Sequence, residues 1–276
     1  MQMKQITYIF LTVIILFTAI LGCSNKQTTP KWKLGIQTYT FHKFTLMETL
    51  QKTRQLGVRY IEAFTFQEMG KGFPDSTYLN FDMSMESKAL LKTELAKYNI
   101  TLFACGVVSY NDESDWRKFF EFAKEMGIKQ VSAEPKLEDL DMVEKLANEF
   151  NIEVAIHNHP NPSIYANPEV LLKALEGRSN LIGVCADIGH WKRVGADPLE
   201  TLKRFKGRLK IIHLKDLNDK MEDATWGTGV LPVKEVVNEL ILQDFNGLIS
   251  VEYENFGSSQ MDDIVKSLSY FNGLIK

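Results

Sequence analysis

Residues 152–159 read Ile-Glu-Val-Ala-Ile-His-Asn-His. Successive side chains of an extended chain point to opposite faces, so Ala155, His157 and His159 share one side and the apolar Val154 and Ile156 the other. A short apolar run that ends in ionisable residues on one face is the unit that decides the fold. It recurs on both sides of this segment. The expected strands are Leu34–Tyr39, Val58–Phe64, Thr101–Val108, Gln130–Glu134, Ile152–His157, Ile182–Asp187, Leu209–Lys215 and Leu248–Glu254.

Longer helical patterns fall between and after them: Leu46–Leu56, Glu86–Tyr98, Ser114–Met126, Leu140–Phe150, Pro168–Leu175, Pro198–Phe205, Val233–Leu242 and Met261–Phe271. Thr45, Ser114, Asn167 and Asp197 suit N-caps, and Pro168 and Pro198 suit the first helical position. Gly57, Gly127, Gly177 and Gly207 suit C-terminal stops. Eight strand-then-helix units predict an α/β fold, a single (β/α)₈ TIM barrel over residues 34–276. An open doubly wound sheet is the rival. It commonly carries a Gly-rich fingerprint after its first strand, and Gly35-Ile36-Gln37-Thr38 lacks one. No sequence repeat and no second domain is evident.

The same alternation groups the polar residues. Ser132 pairs with Glu134, Gly183 and Cys185 with Asp187, Ile211 and His213 with Lys215, and Ser250 and Glu252 with Glu254. Glu62 shares a face with Tyr60, and a structural ion pair explains it as well as a substrate contact does. These residues point inward at C-terminal strand ends, where a barrel carries its active site. Four of the five histidines, His157, His159, His190 and His213, lie at or just beyond strands five to seven; His42 is the fifth. Alone, each is an ordinary core histidine or a solvated carboxylate. Together they are costly to bury without a compensating cation. Their hard oxygen and nitrogen donors suit one divalent ion, Mn²⁺, Mg²⁺, Co²⁺ or Zn²⁺, better than a thiolate-preferring metal.

The 276 residues are 45% hydrophobic and 24% charged, which argues against disorder and against a multi-span membrane protein. A net charge of −3 provides no basic excess for a nucleic-acid partner. Residues 1–22 read as a secretory signal: Lys4 is followed by an uncharged apolar run from Ile9 to Leu21. That run, about 13 residues, is short of the roughly 20 that a membrane span needs. Ile20-Leu21-Gly22-Cys23 resembles the lipobox of bacterial lipoproteins, which implies lipidation at Cys23 and a tether over residues 23–33. The expected location is therefore exported and membrane-anchored, periplasmic or at the cell surface, with the lipid as the sole membrane attachment. Cys105 and Cys185 lie in apolar strands and read as buried free thiols. The sequence sets no oligomeric state.

Several segments resemble the xylose isomerase-like barrel superfamily, particularly sugar phosphate isomerase/epimerase-like proteins. They are Ser132-Ala133-Glu134-Pro135, Ile156-His157-Asn158-His159, Ala186-Asp187-Ile188-Gly189-His190, Ile212-His213-Leu214-Lys215-Asp216 and Val251-Glu252-Tyr253-Glu254. Trp226-Gly227-Thr228-Gly229 looks like that family's substrate-covering loop. The resemblance implies Glu134, Asp187, His213 and Glu252 as metal ligands. It implies substrate contacts from His190, Lys215 and Trp226, with Glu62 a further candidate, and His157 and His159 lining the pocket.

The implied reaction is isomerisation or epimerisation of a small carbohydrate through a metal-stabilised enediolate, Glu134 and Glu252 exchanging the proton. Export and the absence of a P-loop favour an unphosphorylated sugar or keto-sugar. The alternative is a metal-dependent lyase or hydrolase of 3-keto-glycosides, with His157 or His159 as the base. A sugar-binding lipoprotein without activity is a third reading. An apurinic-site endonuclease is disfavoured by the charge and the leader.

Overall fold

The computed structural model describes residues 30–276. The expected leader, Cys23 and most of the tether lie outside the described residues. Eight parallel strands close into a barrel in sequence order. They are β1 (Lys33–Gln37), β2 (Tyr60–Ala63), β3 (Thr101–Val108), β4 (Gln130–Ala133), β5 (Glu153–His157), β6 (Ile182–Asp187), β7 (Leu209–Leu214) and β8 (Leu248–Val251). The helices outside them are α1 (Leu46–Gln55), α2 (Met85–Tyr98), α3 (Glu113–Met126), α4 (Leu140–Phe150), α5 (Pro168–Leu175), α6 (Ile188–Arg193), α7 (Pro198–Arg204), α8 (Val233–Leu242) and α9 (Gln260–Leu274). The TIM barrel read from the sequence is the observed fold.

Local chemistry sets the helix ends. Thr45 and Glu48 cap α1 reciprocally, each side chain bonding the other's backbone N–H. Asn167 and Asp197 cap α5 and α7 ahead of Pro168 and Pro198, as expected. Ser114 is not a cap: Asp112 accepts from the Asp115 N–H, so α3 starts earlier. The helix α6 is also an addition to the sequence reading. Asp187 ends β6 and at once caps α6, its Oδ1 accepting from the His190 N–H at 2.7 Å.

Two packed layers support the rim. Between strands and helices, α3 alone contributes Trp116, Phe119, Phe120 and Met126 to the core, and burying each such side chain stabilises the fold by about 1.5–3 kcal/mol. Inside the barrel, Ala104, Ala155, Cys185, Ile211 and Leu248 form a small apolar plug, with Tyr60 and Phe103 packed against it. Both thiols, Cys105 and Cys185, are free and buried. Register pairs Asp187 with His213 and His213 with Ser250, setting the polar residues side by side above the plug. Gly106 faces this layer; a Cβ there would sit 2.0 Å from the Ser132 carbonyl oxygen, so only glycine permits the approach. No helix among the described residues is long and apolar enough to cross a membrane.

Candidate active site

The layer above the plug is built around a fully buried carboxylate, Glu62. Its Oε1 accepts from Ser132 Oγ at 2.5 Å, and its Oε2 accepts from Ser250 Oγ at 2.6 Å. His213 Nε2 lies 2.9 Å from the same Oε2. Glu62 has no exposed surface, so it does not touch a substrate as the sequence reading allowed. It orients His213, leaving Nδ1 to face Asp187 and Glu252.

Those three residues form the donor cluster. One ligand atom from each of Asp187, His213 and Glu252 lies within 4.8 Å of the others. Asp187 Oδ2, His213 Nδ1 and Glu252 Oε2 are all buried without a well-directed hydrogen bond, although His213 Nδ1 lies 2.9 Å from Glu252 Oε2; His157 Nε2, 4.0 Å from Asp187 Oδ2, also lacks one. Buried polar atoms without directed hydrogen bonds are expensive. Three converging oxygen and nitrogen donors, with His157 Nε2 beside Asp187, fit a divalent cation.

Lys215 reaches the same cluster from beyond β7. Its buried ammonium is 3.3 Å from Asp187 Oδ2 and 3.2 Å from Glu252 Oε2, and it donates to Glu254 Oε1. Burial opposes its charge, but Asp187 and Glu252 raise its pKa well above the ordinary lysine value. In turn burial opposes ionisation of Asp187, while His190 and Lys215 bring it down to about 2. Burial also opposes ionisation of Glu252, which Lys215 and His213 hold well below the usual carboxylate range. Lys215 therefore contacts the carboxylates rather than the open cleft.

Glu134 is not in the donor group of Asp187, His213 and Glu252. Its Oε1 faces His157 Nδ1 at 3.0 Å and His159 Nδ1 at 2.5 Å, and accepts the His159 N–H at 3.1 Å. Its Oε2 accepts from Ser163 Oγ at 2.8 Å. Burial works against ionisation, yet the two imidazoles hold the Glu134 carboxyl well below the usual range. The same contact separates the histidines. His157 is buried, and desolvation lowers its pKa despite the Glu134 hydrogen bond. His159 lines the cleft; burial would lower its pKa, but Glu134 raises it above the ordinary histidine value.

A cleft of about 420 Å³ adjoins the cluster, lined by His159, His190, Glu252 and Glu254 together with Tyr39 and Phe64. Burial pushes the His190 pKa down to about 3 against the pull of Asp187, so the imidazole is neutral. Arg193 Nη1 lies 3.1 Å from its Nδ1. Trp226 does not reach this cleft. It is buried against Phe271 of α9, with ring centroids 5.9 Å apart. The expected covering loop is pinned instead by Asp216, whose carboxylate accepts the N–H groups of Gly227, Gly229 and Leu231. Ser163 and Arg193 were not foreseen: neither lies on a strand, and neither carries a motif.

The profile of the xylose isomerase-like TIM barrel matches residues 50–273. The chain belongs to that family. Among solved structures it is similar to an uncharacterized protein of Parabacteroides distasonis ATCC 8503, at 57% identity and a TM-score of 0.75, covering 88% of this chain and 99% of that one. It shares its fold with a D-tagatose 3-epimerase-like protein, at 19% identity and a TM-score of 0.68, covering 88% and 97%. Inosose dehydratase 2 of Bacillus cereus is 28% identical over 128 residues, 40% of this chain and 43% of that relative. The chain thus spans under half the length of the curated relatives it matches.

Proposed function

We propose that this family member is a divalent-metal-dependent enzyme that removes a proton beside a carbonyl of an unphosphorylated sugar and expels the oxygen substituent one carbon further on. The observation that carries this reading is the His159–Glu134 pair beside the gathered, buried donors of Asp187, His213 and Glu252. These three would hold the ion, with His157 Nε2 as a fourth donor. When bound, the ion neutralises charge building on the carbonyl oxygen and so acidifies the neighbouring C–H.

The chain's own groups carry the proton. In the neutral imidazole a proton on His159 Nδ1 would be donated to Glu134, leaving Nε2 of this cleft-lining residue as the basic atom. His159 Nε2 takes the proton, the C–H electron pair becomes a C=C bond, and the bond from the next carbon to its oxygen breaks. The departing oxygen regains a proton from the imidazolium. The products are an unsaturated ketone and an alcohol, or water, with no oxidant or reductant required. The resemblance to a dehydratase supports an elimination of this kind, and a keto-glycoside is the substrate that fits it.

Isomerisation or epimerisation is the second reading, because Glu252 lines the same cleft and offers the second proton acceptor that an epimerase needs. The leader belongs to the same proposal: export and lipidation at Cys23 would put the enzyme where free saccharides are met. The test compares His159→Ala with wild type for release of alcohol from a 3-keto-glycoside. Loss of a general base lowers the rate about 10²–10⁴-fold while metal stays bound. Undiminished release by His159→Ala removes that residue as the base. Hydrogen exchange with D₂O on a free ketose, without release of alcohol from the keto-glycoside, selects the epimerase reading.

A further inference from the structure

The cleft does not end at Tyr39 and Phe64. Both residues also border an adjoining depression of about 340 Å³ between the loops that follow β1 and β2. Its apolar surface comes from Phe44, Phe66 and Tyr78, and its rim is polar, with Lys43, Glu48 and Glu68 among the lining groups. Phe66 is 61% exposed, Tyr78 45% and Tyr39 41%. Exposed aromatic surface on this scale, continuous with a reaction cleft, marks a binding surface.

The backbone points the same way. Phe66 has φ +67°, a left-handed conformation that a bulky L-residue rarely adopts. The Phe66 N–H donates to the Leu79 carbonyl at 2.8 Å, so the conformation is held in place. An exposed ring on a strained backbone is costly twice over, and such strain gathers at functional sites. Next to it the rings form a fixed row. Tyr39 meets Phe64 edge-on at 5.3 Å and stacks on His42 at 4.7 Å, and His42 meets Phe256 at 4.3 Å.

We propose that this depression is a subsite for a second sugar ring, so that the substrate is a glycoside whose reacting ring lies by His159 and whose linked ring packs on Phe66 and Tyr78 beside Tyr39 and Phe64. A pyranose has an apolar C–H face and a hydroxyl edge. The aromatic floor suits the first and the charged rim suits the second. A flat aromatic substituent would use the floor and leave the rim unpaired. The inference rests on the carbohydrate reading of the cleft and specifies what the sugar is joined to.

The test uses full-length protein loaded with Mn²⁺ and titrated calorimetrically with glucose, maltose, cellobiose and phenyl β-glucoside. At least one disaccharide should bind about tenfold tighter than glucose, the scale of one added aromatic contact. Phe66→Gly removes the ring and relaxes the backbone, so it tests the contact without endangering the fold. Phe66→Gly and Tyr78→Ala should each erase most of that preference and change glucose affinity less than twofold. Equal affinities for glucose and both disaccharides, or a preference that survives both substitutions, overturn the subsite. So does phenyl β-glucoside binding as tightly as the better disaccharide with the same dependence on Phe66. A disaccharide preference without proton abstraction from any sugar leaves the subsite standing and refutes the proposed reaction instead.

Discussion

Glu62→Gln tests whether His213 is set up as a ligand from behind. The carboxylate is fully buried and engages Ser132, Ser250 and His213. Glutamine keeps the shape. Its amide N–H₂ can face Ser132, whose hydroxyl turns to accept, while its oxygen still accepts from Ser250 and His213. What disappears is the negative charge facing the His213 Nε2–H. Burial opposes protonation of His213, and Cys185 and Glu62 raise its pKa, so the pair is electrostatically coupled. Removing the partner behind a metal-ligating histidine costs about 10–100-fold in metal affinity, which is about 1.4–2.7 kcal/mol. Glu62→Leu goes further and orphans three donors in a dry interior, at about 1–3 kcal/mol each. Competition against a chromophoric chelator gives the Mn²⁺ or Zn²⁺ affinity, and thermal unfolding followed by circular dichroism reports the fold. A Glu62→Gln protein that binds metal within twofold of wild type, or a Glu62→Leu protein as stable as wild type, refutes the reasoning.

Asp223 gives a pH-dependent expectation. Burial raises its pKa from 3.8 to about 6 even though Arg193 Nη2 lies 3.3 Å away. A carboxyl whose folded value is raised contributes stability that is complete below the unfolded pKa and is lost as pH climbs through the folded one. Asp223→Asn stays neutral, so its stability relative to wild type should rise between pH 4 and pH 7, by at most about 3 kcal/mol. Urea unfolding at several pH values measures it, and a difference independent of pH contradicts it. Cys23→Ser should release the protein from the membrane or leave its signal uncleaved; mass spectrometry that finds unmodified Cys23 within an intact N-terminus argues against lipidation.

The barrel was legible because two periodicities alternate along the chain and because caps such as Thr45 and Asn167 are read locally. Strand parity also put Glu62, Ser132, Asp187, His213 and Ser250 inside, where register now sets several of them side by side. Parity stops at the strand ends. Glu134 lies just past β4, where its side chain is free to turn, and the neighbours that capture it come from the β5 loop. The helix α6 was hidden because one residue, Asp187, finishes a strand and caps a helix. Trp226 looked like a cover because its loop is glycine-rich, but those glycine N–H groups are bound to Asp216. The aromatic shelf depends on a positive φ at Phe66, which no residue type announces.

The central claim is that the rim of this barrel uses a divalent ion and a histidine to remove a proton beside a sugar carbonyl. Proton NMR in D₂O reads that step directly. Metal-loaded protein is incubated with keto-sugars and 3-keto-glycosides before and after exhaustive chelation, and the signal of the hydrogen beside the carbonyl is followed. The account predicts that this signal decays with metal present, that chelation stops the decay and restored Mn²⁺ or Zn²⁺ revives it, and that His159→Ala slows it at least a hundredfold. Decay at the same rate in chelated protein, or no decay with any of these sugars, would contradict it.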